Sequence, residues 1–211
     1  MEQMSRSERA ALCNAALEAG EEAPTLCEGW TVKDLVIHLL IRERDPIGAT
    51  AIVVPQLDKL AQRSARRMAD QDFTALVERV RGGPPLWSLM KVPALDRLLN
   101  TLEYFVHHED IRRAQPEWTA RDLGADSEKL LWALVRTGGK GLTRSAPVGV
   151  TIENATTGSR AVLKPGEPSV VVRGIPSEVT LFVFGRKAQA HVELIGDDAD
   201  VARLSGTSLG I

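Results

Sequence analysis

The chain has 211 residues, of which 44% are hydrophobic and 26% charged, with 26 Lys and Arg residues against 28 Asp and Glu residues. This length is enough for two modest domains with cores of their own. The near balance of charge argues against nucleic acid or an anionic membrane as partner, because both are bound through concentrated positive charge. We therefore expect a site for small molecules.

We expect neither a secretory signal nor a disulfide framework in this sequence. Its N-terminus, "MEQMSRSERAALC", has charges throughout instead of the basic-then-apolar pattern of a secretory signal. No apolar run approaches the roughly 18 residues of a membrane helix, which predicts a cytoplasmic protein. Cys13 and Cys27 do not form a CxxC pair. We expect them to be inert thiols outside any disulfide or cysteine-zinc site.

Helix signals dominate the first two-thirds of the chain. Ser5 followed by Glu8 is a capping-box pattern that predicts the start of a first helix, and Gly20 predicts its end. Thr31 with Asp34 three residues later predicts the start of a second helix.

Pro46 is expected to end the second helix, since proline removes a backbone donor. Four more helical patterns follow, in the order "LDKLAQRSARRM", "FTALVERVRG", "ALDRLLNTLEYFVHHEDIRRA" and "SEKLLWALVRTGGKGLTR". The third of these is the longest, with apolar residues at helical spacing over several turns, and the last is expected to fray into glycine.

The pattern changes at Pro147, where short runs rich in β-branched residues begin. The runs "VGVTIENA", "SRAVLKP" and "PSVVVRG" predict successive antiparallel strands. Pro176 then opens a helical pattern, followed by a strand-like "HVELIG" and a short terminal helix around "DADVARL". These patterns predict a mainly α fold with a small α+β part: a helical domain over residues 1–145 and a compact α+β domain over residues 146–211.

The segment "TLEYFVHHED", residues 101–110, carries a candidate site. Glu103 and His107 are four residues apart and share one face of a helix, whereas His108 is turned from Glu103 by about 140°. A carboxylate beside Leu102 and Phe105 is costly unless it is paired or binds a metal. Such Glu–His pairs also occur by chance on many helices, so this pair alone does not define a site.

A third ligand could come from His38, which lies at the margin of the apolar stripe of the second helix. A histidine in such a place is commonly half-buried and hydrogen-bonded, without any metal. Asp34, one turn earlier, could orient the His38 ring. For His191, in a predicted strand, we expect a structural role.

The order of these motifs resembles a known family. The segment "CEGWTVKDLVIHL", followed roughly 65 residues later by a helix with Glu-x-x-x-His, is similar to the DinB-like metal-binding bundle of the mycothiol-dependent maleylpyruvate isomerase family. The segment "LFVFGRKAQAHVELIGDDADVARL" is similar to the end of that family's second domain. The resemblance implies that the helices of residues 1–145 form a DinB-like four-helix up-down bundle. The chain most resembles a subgroup that is described only as metal-binding.

The resemblance implies a divalent ion, zinc in the family, held by His38, Glu103 and His107. Three protein ligands leave coordination positions for water or substrate, as in catalytic zinc sites, and two histidines with one carboxylate also suit nickel or iron. The consecutive histidines leave His108 as an alternative ligand.

The resemblance also implies mycothiol as a thiol that the metal activates for attack on an electrophilic substrate. We expect a cation to hold the substrate's carboxylates. Arg186 is the first candidate for this catalytic role, and Arg42 and Arg112 are the alternatives.

Two other functions remain open at this stage. One is a metal-binding or stress-response module without turnover, and the other is a metal-dependent hydrolase with water in the open position. The sequence contains no GxGxxG, P-loop, G-x-S-x-G or HExxH motif. We expect a monomer or homodimer, and we expect the scattered Trp30, Trp87, Trp118 and Trp132 to be packing anchors of the bundle.

Overall fold

The computed structural model of the protein describes residues 2–45, 58–85 and 100–210. Over these ranges the chain forms eight helices and a four-stranded sheet, which confirms the predicted fold class of mainly α with a small α+β part. The chain divides into two compact units, Met1–Ala120 and Arg121–Ile211. No helix in the described ranges has the length and apolar character needed to cross a membrane.

The first unit is helical throughout its described part. Its helices are α1 (Glu2–Ala19), α2 (Val32–Arg44), α3 (Asp58–Ala69), α4 (Phe73–Arg81) and α5 (Thr101–Arg112). Helix α1 packs against α4 and α5, and α2 packs against α3 and α4. The core between them is aliphatic and includes Leu12, Leu35, Leu39, Leu76 and Ile111.

Helix α2 begins where the sequence predicts. Thr31 is its N-cap, and the reciprocal capping box with Asp34 is complete. The Asp34 carboxylate accepts hydrogen bonds from both the backbone N–H and the hydroxyl of Thr31, at 2.9 and 2.8 Å. The helix ends at Arg44, and Pro46, its predicted terminator, lies outside the described residues.

Helix α1 begins earlier than predicted. It starts at Glu2, so Ser5 lies inside the helix and is not its N-cap. The predicted capping partner, Glu8, instead places its carboxylate 2.9 Å from Nδ1 of His108 on α5. The predicted end is confirmed, because Ala19 is the last helical residue and Gly20 takes a φ of +89°.

Helix α5 is buried on almost every side. Ten of its twelve residues are buried, from Thr101 to Ile111, with Glu103 and Arg112 the exceptions. Because its ionisable side chains cannot point to water, they need partners inside the unit. The Thr101 hydroxyl is buried on this helix without a hydrogen-bond partner among the described residues.

The second unit combines helices with one sheet. Its elements are α6 (Ala125–Leu142), β1 (Gly149–Asn154), β2 (Arg160–Lys164), β3 (Ser169–Gly174), α7 (Pro176–Val183), β4 (Glu193–Ile195) and α8 (Asp198–Ser205). The core between them is formed by residues such as Trp132, Ile152, Val172 and Phe182.

Helix α6 belongs to this second unit, whereas the sequence predicts a boundary between residues 145 and 146. The helix packs against α7 and β2. It does not fray at its glycines but continues to Leu142, and a Cβ on Gly139 would lie 2.8 Å from Cδ1 of Leu163. The missing side chain lets α6 approach β2 closely, and this contact ties α6 to the sheet.

The sheet has the order β2-β1-β3-β4. Strands β1 and β2 are antiparallel as predicted, but β3 runs parallel to β1 on its other side, so the expectation of successive antiparallel strands is wrong there. The physical reason is the connection after β2, which crosses the start of β1. There the N–H of Gly149 donates to the carbonyl of Pro168 at 2.9 Å.

This crossing predicts the effect of a small substitution. Gly149→Ala should destabilise the protein by about 2 kcal/mol, because its Cβ would lie 2.2 Å from the carbonyl oxygen of Gly166. Thermal unfolding followed by circular dichroism measures this loss. Gly141→Ala is the matched control: nothing lies within 4 Å of its Cβ, and alanine favours a helix, so its melting temperature should stay level or rise. Equal melting temperatures for Gly149→Ala and wild type would contradict the close crossing.

Candidate metal centre

Three side chains of the first unit converge on one point. His38 comes from α2, and Glu103 and His107 come from successive turns of α5. Oε1 of Glu103 lies 3.3 Å from Nε2 of His38 and 3.2 Å from Nε2 of His107. One ligand atom from each residue lies within 4.8 Å of the others, which is a spacing that could hold a metal ion. The structure therefore brings together the three residues that the sequence and the resemblance indicated.

His108 points away from this group. Its Nδ1 lies 2.9 Å from Oε2 of Glu8, and both residues are buried. The helical angle between neighbouring residues separates His107 from His108, as expected. Glu8 is therefore a structural partner of His108 on α1. The sequence pattern indicated Glu8 only as part of a helix cap.

The far side of the His107 ring is held by Asp110. Oδ2 of Asp110 lies 2.8 Å from Nδ1 of His107, and the Cys27 thiol donates to the same oxygen at 3.3 Å. Asp110 is fully buried. A carboxylate that accepts the Nδ1 proton leaves Nε2 facing Glu103 and His38, the tautomer that a metal-binding histidine needs.

Cys27, His107 and Asp110 also satisfy the spacing of a metal-binding group. Cys27 and Asp110 contact Nδ1 of His107, whereas Glu103 contacts Nε2 of the same ring. We therefore interpret Cys27 and Asp110 as outer partners of His107. Sequence analysis missed both residues. The sequence contains one signal for Asp110. It follows His107 by three residues, a spacing that places the two side chains next to each other on a helix.

Arg42 supplies a positive charge at the edge of the centre. Its Nε lies 3.6 Å from Oε1 of Glu103, and its guanidinium also donates to Oδ1 of Asn100 at 2.6 Å. Burial alone would raise the pKa of Glu103, but Arg42 together with hydrogen bonds from His107 and His38 holds that pKa well below its usual value. Glu103 is therefore a carboxylate, the form that binds a cation.

The two histidines have opposite pKa shifts. Burial lowers the pKa of His38. Burial would also lower the pKa of His107, but hydrogen bonds with Asp110, Cys27 and Glu103 raise it well above its usual value. The centre is therefore electrostatically asymmetric: the His107 ring contacts the carboxylates of both Asp110 and Glu103, and the His38 ring contacts that of Glu103.

The centre is partly open to solvent. The exposed fractions of the side chains are 22% for Glu103, 14% for His38 and 10% for His107. The Trp30 ring lies beside His38, with 5.1 Å between ring centroids. Trp30 is 37% exposed, so its predicted role as a packing anchor is wrong, whereas Trp132 is buried in the second unit.

The other sequence candidates lie elsewhere. Asp34 caps α2 and does not orient His38. Arg112 binds Glu109 and the carbonyl of Thr119. Arg186 belongs to the second unit, where its guanidinium donates to the carbonyl of Phe184 at 2.5 Å, and its catalytic role stays a prediction.

The remaining residues of interest have structural surroundings. His191 is exposed at the entry to β4, and its backbone N–H donates to Glu178. Trp118 lies under the Arg113 guanidinium, and Trp87 lies outside the described residues. Burial raises the pKa of the Cys13 thiol to about 11, in agreement with the inert role expected for it.

Asp110→Asn tests the support of His107. The amide keeps the size of the buried side chain but offers a donor to Nδ1, so the ring loses the orientation that presents Nε2. We expect metal affinity to fall roughly 10- to 100-fold, measured by competition with a chromophoric chelator. Asp34→Asn is the matched control, because that carboxylate contacts only the cap of α2 and should leave metal affinity unchanged. Equal affinities for Asp110→Asn and wild type would contradict the role of Asp110.

His108→Ala tests whether this residue is structural. Removing it leaves Glu8 buried without its imidazole partner, so we expect a loss of roughly 3 kcal/mol in the free energy of unfolding, with metal affinity retained. Urea unfolding of the metal-free protein measures the loss. The double variant Glu8→Ala/His108→Ala should lose less than the sum of the single variants. A stable His108→Ala protein with weakened metal binding would instead make His108 a ligand.

Comparisons with known proteins agree with the resemblance. The family model described as the mycothiol maleylpyruvate isomerase N-terminal domain matches residues 4–112. A search of curated proteins found no match. Two crystal structures, one of a mycothiol-dependent maleylpyruvate isomerase histidine-to-alanine mutant and one of the mycothiol-dependent maleylpyruvate isomerase, are similar in fold, with TM-scores of 0.62 and 0.58. Each is 16% identical to this chain, and 92% of both chains is covered.

The family match spans α1 to α5, the helices that carry His38, Glu103 and His107. It covers more than half of the chain, and the structural similarity extends over the second unit as well. The chain belongs to the mycothiol maleylpyruvate isomerase N-terminal domain family.

Proposed function

We propose that the protein is a thiol-dependent transferase or isomerase with one divalent metal ion held by His38, Glu103 and His107. The observation that carries the proposal is the convergence of two imidazole Nε2 atoms on Oε1 of Glu103, at 3.3 and 3.2 Å. Family membership supports mycothiol as the thiol.

The donor set fits such an ion. Two imidazole nitrogens and one carboxylate oxygen are ligands of catalytic zinc sites, and the same set suits nickel or iron. When bound, the ion would stabilise the thiolate of a small thiol near neutral pH, which is the chemistry a thiol-dependent enzyme needs.

The residues around the ligands support this role. Asp110 holds the His107 ring through Nδ1, which keeps Nε2 directed at Glu103. Arg42 keeps Glu103 ionised and places a positive charge beside the centre. Burial of Asp110 keeps water from competing for this hydrogen bond.

An isomerisation by this route conserves all atoms. The thiolate adds to one carbon of a cis double bond conjugated to a carbonyl, and the π electrons move to the carbonyl oxygen as an enolate. Rotation about the resulting single bond and loss of the thiolate give back the double bond in the trans arrangement. The double bond must be electron-poor, and the conjugated carbonyl makes it so by accepting the π electrons.

A cation near the site would hold such a substrate. Arg186 remains our first candidate for this catalytic role, on the basis of the family resemblance. Arg42 is the alternative within the first unit, although its hydrogen bond with Asn100 and its contact with Glu103 already occupy much of its guanidinium.

The metal site is tested by metal content. Purified protein should contain about one divalent ion per chain, and His38→Ala or Glu103→Ala should lose most of it, because two ligands bind a divalent ion much more weakly than three. Elemental analysis after gel filtration measures the loss. His191→Ala is the control, since this exposed residue belongs to the second unit and should keep the metal. Full retention of the metal ion in both ligand variants would reject the proposed metal site.

A second experiment tests the thiol. Mycothiol added to the cobalt-substituted protein should produce a sulfur-to-cobalt charge-transfer band, and His107→Ala should lose it with the metal. Absence of the band in metal-loaded wild type would reject the thiol-dependent enzyme. Turnover of an ester or amide by the metal-loaded protein would then favour a hydrolase, and absence of turnover would favour a metal-binding module.

A further inference from the structure

Trp30 is a partly exposed aromatic residue beside the candidate metal centre. It is 37% exposed, and its ring lies 5.1 Å from that of His38, at an interplanar angle of 52°. The metal-facing Nε2 of His38 belongs to this same ring. A ligand that reached the metal from solvent beside His38 would therefore pass within contact distance of the indole.

The backbone of Trp30 is fixed in place. Its carbonyl accepts hydrogen bonds from the N–H and the hydroxyl of Thr25, at 3.3 and 3.0 Å, and its N–H donates to the carbonyl of Cys27 at 3.0 Å. The same loop is tied to α5 by the N–H of Leu26, which donates to the carbonyl of Asp110 at 3.1 Å. Trp30 also immediately precedes Thr31, the N-cap of α2.

An exposed indole on a rigid backbone is typical of a binding residue. Leaving so much aromatic surface in water forgoes the stabilisation that burial would give. A fixed aromatic ring also loses little conformational entropy when a ligand packs on it. The contact with His38 covers one part of the indole, and the exposed part is accessible to a ligand.

We propose that Trp30 is a specificity residue that packs against the sugar body of the thiol whose sulfur binds at the metal. This inference rests on the proposed function, because it needs a thiol at the centre. Mycothiol is N-acetylcysteine joined to glucosamine and inositol, and such rings present C–H faces that pack on an indole. Trp30 would thus distinguish a thiol with a sugar body from a simple one.

The test compares two thiols that share the same sulfur-bearing group. N-acetylcysteine and mycothiol are each titrated into cobalt-substituted protein, and the Kd is read from the charge-transfer band. For wild type we expect mycothiol to bind more tightly. Trp30→Ala should weaken mycothiol binding roughly five- to tenfold and leave N-acetylcysteine binding unchanged, and Trp30→Phe should lie between wild type and Trp30→Ala.

Two controls separate this role from a structural one. Metal affinity and melting temperature of Trp30→Ala should match wild type, which shows that His38 is still in place. Trp118→Phe should leave both thiol affinities unchanged, because Trp118 packs under Arg113. Quenching of tryptophan fluorescence by mycothiol in wild type should be absent in Trp30→Phe.

The outcomes separate this inference from the proposed function. A wild-type protein without a charge-transfer band for either thiol rejects the proposed function and this inference with it. A normal band in wild type with unchanged mycothiol affinity in Trp30→Ala rejects the inference alone. An equal loss for both thiols, or a loss of metal, also rejects it, because Trp30 would then act only by supporting His38.

Discussion

Pairing of the buried polar side chains on α5 is the constraint on which the first unit depends. Because this helix has almost no face in water, each ionisable group on it must meet a partner, on another helix or on α5 itself. His108 meets Glu8 of α1, Tyr104 donates to Glu43 of α2, and Glu109 pairs with Arg113. These contacts fix the rotation of α5, and with it the direction in which the candidate ligands point.

The candidate metal centre is part of the same network. Glu103 is shared by His38, His107 and Arg42, and the outer nitrogen of His107 is held by Asp110. The candidate ligands are thus oriented by hydrogen bonds from neighbouring side chains. This arrangement links the stability of the bundle to the geometry of the site.

The loop before α2 positions two residues around the candidate centre. It brings Cys27 to Asp110 on one side of His107 and Trp30 to His38 on the other. The capping box at Thr31 fixes the end of this loop, so a local helix signal also positions the entrance of the centre. In contrast, the second unit is organised by close backbone approaches at Gly139 and Gly149.

The sequence by itself determined the features that depend on neighbours along the chain. Capping at Thr31, the end of α1 at Gly20 and the shared face of Glu103 and His107 all follow from local geometry. Only the tertiary structure decided which distant groups meet. Glu8 lies 100 residues from His108, and the parallel pairing of β3 with β1 depends on a crossing connection. Periodicity records which residues are apolar, but it carries no information about the partner of a buried charge.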